Sequence, residues 1–338
     1  MSEATTLADG KWSCRSCGAC CKGFSFGPVE EHIITGLKEK DVSFHWKPAQ
    51  EEWYVTHPQT GEYYFTHVDG HCIFLQDDQM CAIHGRWGSL AKPWFCREYP
   101  FSVVEHEKGV SITVRDDCGG FHKSMDDGQP ISEQTQEVLD IIRPVPRQRF
   151  SPQQVVILPG LGVSVLNWLQ VEPVLLDACH TSAIESVVAI RSALYKMAGR
   201  EKPNMGMNVQ EGFFMLTRAL AERIERVSIG PAMEDSRQHV LLMLKDSLKE
   251  GPISKDVEQY FVRILRTRIL SKSFARLGSL PAGLGFFLLE WHIFARRGDR
   301  NMIGPQYSRW RRAIHLRPFW EQVRVLQNPF SHIFVEVS

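Results

Sequence analysis

Cysteine is the residue type in this chain whose number and spacing could do chemistry. Nine cysteines occur, and four of them fall within the stretch CRSCGACC at residues 14–21. Eight lie in the first third of the chain: Cys14, Cys17, Cys20, Cys21, Cys72, Cys81, Cys96 and Cys118. The ninth, Cys179, stands alone in an apolar helical pattern, which is typical of a small core residue.

The spacing Cys-x-x-Cys-x-x-Cys presents three thiolates from one tight loop. Soft thiolates select zinc, copper(I) or iron–sulfur clusters. A zinc ribbon normally offers two Cys-x-x-Cys pairs, whereas the later cysteines here come singly. Three close ligands with one remote ligand are typical of a [4Fe–4S] cluster. We therefore expect a [4Fe–4S] cluster, with zinc as the alternative, and Cys14, Cys17 and Cys20 fit three corners of the cube.

Two features of the cysteine pattern stay open. Neighbouring side chains of an extended backbone point to opposite faces, so we expect that Cys20 and Cys21 do not bind one small ion together. Cys21 then serves a second site or is a redox thiol beside the first. Eight thiols could form two sites, or one site with spare thiols. The metal could also be purely structural, because a small module has little core of its own.

Composition excludes some classes of function. The chain has 338 residues, and 39 basic residues balance 39 acidic ones, so no global field recruits nucleic acid or an anionic membrane. The N-terminus lacks the charged and apolar regions of a signal peptide, and no stretch is apolar for long enough to span a membrane. We expect a cytoplasmic protein with reduced thiols.

The sequence pattern predicts an α+β protein in which a small cysteine-rich module of β-hairpins and short helices docks on an α-helical domain. We place the module at residues 12–124, a linker or crossing segment at 125–152 and the helical domain at 153–338. Hairpins are predicted around residues 58–61, 77–78 and 108–109. A short helix is predicted after Pro28.

The second half shows helical periodicity. Phe213, Leu216, Leu220 and Ile224 form one apolar face. Gly251 is predicted to end one helix, and Ser254 to cap the next. The stretch GLGFFLLEWHIFARRG is apolar nearly all round, which predicts a central helix.

Three ordered motifs carry a resemblance to a known family. CRSCGACC, CIFLQDDQMCAIHG and KPWFCREYPF are similar to the signature of the YkgJ-like cysteine-cluster family, a zinc- or iron-chelating domain. This family includes flagellin lysine-N-methylase (FliB). The resemblance covers roughly residues 12 to 120, and the stretch VEQYFVRILRTRIL is faintly similar to a helix of the methylase-like members.

The resemblance implies which residues matter. All eight cysteines of the first third would form the metal-binding set, and Pro93, Arg97, Pro100 and Phe101 would belong to the signature around Cys96. Arg97 could donate hydrogen bonds to a thiolate-rich cluster, or form an ion pair with Glu98 or an aspartate. Two residues depart from the signature: His84 replaces a tyrosine, and Lys92 replaces an arginine. His84 could bind a metal or be an ordinary polar residue.

The resemblance also implies an activity, namely methyl transfer from S-adenosylmethionine to a lysine of a protein substrate. The sequence shows no donor site of its own. The Cys-x-x-x-Cys-x-x-Cys spacing of radical enzymes is absent. The stretch VVILPGLGVSV at residues 155–165 is predicted to be a turn between secondary-structure elements and not a nucleotide-binding loop.

Three smaller groups of residues remain. His67, Asp69 and His71 could form a second metal site, but a turn between strands explains Asp-Gly as well. Asp116 and Asp117 could cap backbone amides or orient a ligand. The arginine-rich segment 296–320 could bind nucleic acid or an acidic partner, and a helix with a solvated basic face is the better interpretation.

Overall fold

The structure is a computed structural model. It describes residues 4–22, 27–40, 42, 52–142, 148–203, 208–247 and 251–337. Within these ranges the protein is α+β, as the sequence predicts.

A four-stranded sheet lies between the cysteine-rich part and the helices. Its strands are β1 (Ala4–Thr5), β7 (Phe101–His106), β8 (Gly109–Val114) and β10 (Gln148–Arg149). They follow the order β1-β8-β7-β10. Strands β7 and β8 form the antiparallel hairpin predicted around Lys108 and Gly109, whereas β1 and β10 join its two edges in parallel.

The cysteine-rich part consists of short elements. Its strands are β2 (Lys11–Trp12), β3 (Tyr54–Thr56), β4 (Tyr63–Phe65), β5 (His67–Val68), β6 (His71–Cys72) and β9 (Gln129–Pro130). Its helices are α1 (Glu31–Lys38), α2 (Ala82–Trp87) and α3 (Trp94–Glu98). Strand β2 pairs with β9, β3 with β4, and β5 with β6.

Two local predictions in this part are corrected. The hairpin β3–β4 is confirmed, but the one predicted around Asp77 and Asp78 is wrong: a single bridge joins Leu75 to Cys81, and α2 follows directly. The predicted short helix exists, but it begins at Glu31 and not at Pro28.

The segment predicted as a linker contains regular structure. Helix α4 (Ser124–Asp127) and helix α5 (Ile131–Ile142) occupy most of its described part. Ile131 and Val138 are buried against the large core. These residues are seven positions apart, which is two turns of a helix. The polar composition of α5 hid this apolar stripe from sequence analysis.

The hairpin of β11 (Val155–Leu158) and β12 (Leu161–Val163) begins the helical half. Gly160 has φ +70° at its turn, so the predicted turn is confirmed. The helices that follow are α6 (Val165–Asp177), α7 (Ala183–Met197), α8 (Val209–Arg226), α9 (Glu234–Lys245), α10 (Lys255–Leu270), α11 (Leu280–Phe294), α12 (Arg300–Ile314), α13 (Arg317–Val325) and α14 (Gln327–Glu336).

Helix boundaries test the capping predictions. Ser254 caps α10, because its side chain accepts a hydrogen bond from the amide of Val257. The predicted apolar face of α8 is buried at all four positions. The end predicted at Gly251 is wrong, since α9 ends at Lys245. No described helix is long and apolar enough to cross a membrane.

Two apolar cores organise the molecule. The smaller one joins α1, α2 and the β3–β4 hairpin around the fully buried Phe74. The larger one extends from Phe101 to Val337 and includes the β7–β8 hairpin. Helix α11 lies at its centre with nearly every residue buried, as predicted. The hairpin carrying the eighth cysteine thus packs with the helices.

The arginine-rich segment is not a solvated basic face, which corrects the interpretation from sequence. Arg300 and Arg311 are buried in α12. Arg311 donates to Asp116 and Glu290 at 3.3 and 3.0 Å, and Arg268 of α10 pairs with the same two carboxylates at 2.9 and 2.6 Å. Asp116, Glu290, Arg268 and Arg311 form a buried ion network, so Arg311 of the segment is held by carboxylates in the interior.

Close packing of α11 against α14 yields the first prediction. A Cβ at Gly285 would overlap the carbonyl oxygen of Phe330. Because both are parts of packed helices, we expect Gly285→Ala to destabilise the protein by at least about 1–3 kcal/mol. Gly36→Ala is the matched control, since a Cβ there meets no atom within 4 Å and alanine favours a helix by about 0.5–1 kcal/mol. Urea unfolding checks both, and equal stabilities would contradict the packing.

The buried ion network yields a second prediction. Desolvation would raise the pKa of Asp116, but Arg311 and Arg268 outweigh it and hold that pKa below its usual range. The folded state therefore favours the carboxylate. Its contribution is present above the unfolded pKa of about 4 and is lost as the pH falls below it. Asp116→Asn leaves two buried guanidinium groups with one carboxylate, and we expect a loss of about 3–5 kcal/mol at neutral pH.

Asp235→Asn is the control for this variant, because Asp235 also pairs with an arginine, Arg309, but its side chain is 86% exposed. An exposed pair contributes about 0–1 kcal/mol. Urea unfolding across the acid range should show a weaker acid dependence in Asp116→Asn than in the parent protein. An unchanged acid dependence would contradict the assignment.

Candidate metal centre

Eight of the nine cysteines line one cavity of about 520 Å³, here called the cysteine cavity. They are Cys14, Cys17, Cys20, Cys21, Cys72, Cys81, Cys96 and Cys118. Cys179 lies elsewhere, at the end of α6, where its thiol donates to the carbonyl of Leu175 at 3.3 Å. The eight cysteines of the first third therefore share one cavity and the ninth lies outside it, which is the same division that the sequence shows.

Five parts of the chain bring these thiols together. The loop after β2 carries the first four, Cys72 ends β6, Cys81 precedes α2, Cys96 lies in α3, and Cys118 lies in the turn after β8. The loop turns sharply at Ser16 and Gly18, which have φ of 48° and 64°. A Cβ at Gly18 would lie 2.9 Å from the Gln79 side chain, so glycine is required there for both reasons.

The prediction for Cys20 and Cys21 assumed an extended backbone, which the structure does not have there. Residues Ala19–Cys21 form a 3-10 helix and not an extended segment. Their sulfur atoms consequently lie 3.9 Å apart. In tetrahedral zinc sites each sulfur lies about 2.3 Å from the metal, so this separation is compatible with two ligands of one centre.

The thiols fall into two groups around the cavity. Cys118 interacts electrostatically with Cys17, and a Cβ on the adjacent Gly119 would lie 3.0 Å from the Cys17 sulfur. On the other side the thiols of Cys20, Cys21, Cys72, Cys81 and Cys96 interact with one another. The five-cysteine group draws its members from four segments of the cysteine-rich part.

Burial controls the charge of most of these thiols. It raises the pKa of Cys72 and of Cys118 to about 12, and it raises the pKa of Cys96 well above its ordinary value. A hydrogen bond from the Cys21 thiol lowers the pKa of Cys20 to about 6 and raises the pKa of Cys21. A metal ion would have to replace these protons, because the thiolate is the ligand.

Two cations accompany the thiols. Lys92 lines the cavity, and its charge lowers the pKa of Cys20 and of Cys96. Arg97 also lines the cavity, and its guanidinium pairs with Glu30 at 3.4 Å. This partner differs from those expected from sequence. The same carboxylate accepts a hydrogen bond from the amide of Trp94 at 3.0 Å, so Glu30 fixes the helix that carries Cys96.

The remaining candidates from sequence have different positions. Pro93, Pro100, Phe101 and the exposed His84 line the cysteine cavity. His67 and His71 belong to the paired strands β5 and β6, and Asp69 takes the turn between them with φ 52°. The turn explanation for that group is confirmed. Asp117 pairs with Arg115 at 2.6 Å. Within the described residues its carboxylate does not accept a hydrogen bond from a backbone amide, so the expected capping role is not seen.

Sequence analysis missed the wall formed by α5. Gln134, Glu137, Val138 and Ile141 line the cavity, although the segment was predicted to be a linker. Their spacings of three and four residues are the only sequence signal for a common face. In the described part of the chain, no three Cys, His, Asp or Glu side chains converge closely enough to hold a metal ion. The thiols line a wider space.

Comparison with known families agrees with this location. Residues 13–119 match the family model CxxCxxCC, described as "Putative zinc- or iron-chelating domain". The match covers less than half of the chain and ends one residue after Cys118. No curated protein and no solved structure matches the chain significantly. The matched region is therefore similar to a domain family described by zinc or iron chelation, and the helical half lies outside the match.

Proposed function

We propose that the cysteine cavity binds an iron–sulfur centre through thiolates of the eight cysteines that line it. One observation carries this proposal: eight cysteines from five parts of the chain line a single cavity of about 520 Å³, and Cys179 does not. A set of donors made almost entirely of thiols suits zinc, copper(I) and iron–sulfur clusters. The family match supports zinc or iron.

The size of the cavity favours a cluster over a single ion. A mononuclear zinc site needs four ligand atoms about 2.0–2.3 Å from one point. A [4Fe–4S] cube is several ångströms across and accepts ligands from distant parts of a fold. Lys92 lies where its charge would offset a cluster ligated by negatively charged thiolates. Zinc remains the alternative metal.

The activity of such a centre is a separate question. Resemblance to flagellin lysine-N-methylase suggests transfer of a methyl group from S-adenosylmethionine to a protein lysine. The other candidate is a structural or metal-handling module without catalysis. The small apolar core around Phe74 supports the latter, because a metal would add stability where few side chains are buried.

The deciding experiment is anaerobic purification followed by analysis of iron, sulfide and zinc per chain. A brown protein with iron and sulfide supports the cluster, and a colourless protein with zinc supports the alternative. Stoichiometric absence of both metals would overturn the proposal. A brown protein that releases no S-adenosylhomocysteine from S-adenosylmethionine and lysine-bearing protein would keep the cluster and remove the methylase.

Serine variants test the ligands. We expect Cys72→Ser and Cys96→Ser to lower metal affinity more than about 100-fold, because replacing a ligand costs more than replacing the groups that support it. Metal content after desalting measures the loss. Cys179→Ser is the matched control and should bind as much metal as the parent chain. Equal loss in the control would show that the variants act through folding.

The metal content of single and double serine variants tests whether the two groups of thiols hold one centre or two. If they hold separate centres, Cys118→Ser and Cys72→Ser each remove part of the metal, and the double variant removes the sum. This additive result would indicate two centres, one beside Cys17 and Cys118 and one beside Cys20, Cys72 and Cys81. Complete loss in either single variant would instead indicate one shared centre.

A further inference from the structure

A second cavity lies beside the cysteine cavity and contains arginines in place of cysteines. It has a volume of about 210 Å³, and we call it the arginine pocket. Four guanidinium groups line it, from Arg115, Arg268, Arg276 and Arg311. Pockets for drug-sized ligands measure about 300–1,000 Å³. This one has room for a small oxyanion or for the acidic end of a larger molecule.

Three of these arginines already have carboxylate partners. Arg268 and Arg311 pair with Asp116 and Glu290, as described above. Arg115 pairs with Asp117 at 3.1 and 2.6 Å through two hydrogen bonds. The charges of the aspartates that line the pocket are therefore already compensated by these guanidinium groups.

Arg276 is different from its neighbours. It lies in the 3-10 helix Ser273–Leu277. Its guanidinium forms no hydrogen bond or ion pair with the residues that the structure describes. Part of its surface is exposed to solvent. Desolvation lowers the pKa of its guanidinium, and the charges of Arg115 and Arg311 lower it further, while the charges of Asp117 and Asp116 act in the opposite direction without outweighing them. Glu98 also lines the pocket, where its charge interacts with Arg115.

His315 adds an unused donor. It lines the pocket, and its Nε2 atom is buried without a hydrogen-bond partner in the described structure. Burial and the surrounding arginines hold its pKa well below the ordinary value, so the ring is neutral. A neutral imidazole still donates one hydrogen bond. A buried polar atom without a partner is costly unless something binds it.

We propose that the arginine pocket is a binding site for a small oxyanion, a carboxylate or a phosphate group, held by the guanidinium of Arg276 and the imidazole of His315. Arginine presents a planar fork of donors that matches both groups. The neighbouring ion pairs keep Arg115, Arg268 and Arg311 in place around the bound anion. This proposal does not require the metal proposed above, because Arg276 and His315 do not line the cysteine cavity.

The arginine pocket lies beside the cysteine cavity because two parts of the chain contribute residues to both. Trp94 and Glu98 of α3 line the arginine pocket, while Cys96 and Arg97 of the same helix line the cysteine cavity. The turn after β8 also contributes to both, since Asp116 and Asp117 line the arginine pocket and Cys118 lines the cysteine cavity. An anion in the pocket would therefore bind one helix away from the thiols.

Isothermal titration of the full chain, as purified, tests the site. The probes are inorganic phosphate and acetate, each compared with sodium chloride at equal ionic strength. We expect saturable binding of at least one probe. Binding of phosphate alone would indicate a phosphorylated ligand, and binding of acetate alone would indicate a carboxylate ligand. Binding of both would indicate a site that recognises the oxyanion group in either chemical form. No saturable binding of either probe would overturn the proposal.

Variants assign the binding to the pocket. Arg276→Gln should weaken binding about tenfold to a hundredfold, because a charge-assisted hydrogen bond is lost. Arg218→Gln is the matched control, since Arg218 lies on the surface of α8 with a side chain 72% exposed. Equal affinities of the two variants would overturn the assignment. His315→Phe, which keeps a ring but removes the second donor, decides the matter if Arg276→Gln does not fold.

Metal content separates this proposal from the previous one. Arg276→Gln should bind as much iron or zinc as the parent chain, because Arg276 does not line the cysteine cavity. A protein without metal that still binds phosphate or acetate would refute the metal centre and leave the anion site standing.

Discussion

The buried ion network of Asp116, Glu290, Arg268 and Arg311 is the constraint on which the arrangement of the molecule depends. It joins the turn after β8 to α10, α11 and α12. Such a network contributes little net stability, because desolvation offsets attraction, but removing one member leaves a buried charge uncompensated. It therefore selects one arrangement of these elements. Cys118 follows two residues after Asp116, so the most remote thiol is fixed to the helical half.

The other thiols are held by weaker means. Their loop and short helices pack on a small apolar core, and Glu30 fixes α3 through Trp94 and Arg97. Arginines of the helical half reach across to the loop: Arg266 pairs with Asp9 at 2.6 Å, and Arg263 donates to the carbonyl of Lys11. One side of the cysteine cavity thus belongs to the large core, through Cys118, and the other side packs on the small core. A bound metal would add the most stability to the side with the small core.

Sequence alone predicted the features that local chemistry determines. The Ser254 cap, the β7–β8 hairpin and the Asp69–Gly70 turn need only near neighbours, and all three are confirmed. Spacing indicated Cys14, Cys17 and Cys20 as a group, and the family resemblance supplied the full set of eight cysteines. Features set by distant partners were missed. Arg311 lies in the basic stretch RWRR, and only its carboxylate partners, contributed by other elements, explain its burial. Helix α5 was hidden in the same way, because its apolar stripe is narrow.

The relation between the two cavities follows from the geometry of α3. A helix with its side chains is about 10–12 Å across, so Trp94 and Glu98 can face one cavity while Cys96 faces the other. Charges at this separation are screened by salt when they are exposed, but much less when they are buried. A negative ligand held by Arg276 would therefore oppose further negative charge on the thiolates beyond α3. By the same electrostatics a metal that neutralises those thiolates would favour the anion, which makes the two sites energetically coupled through α3.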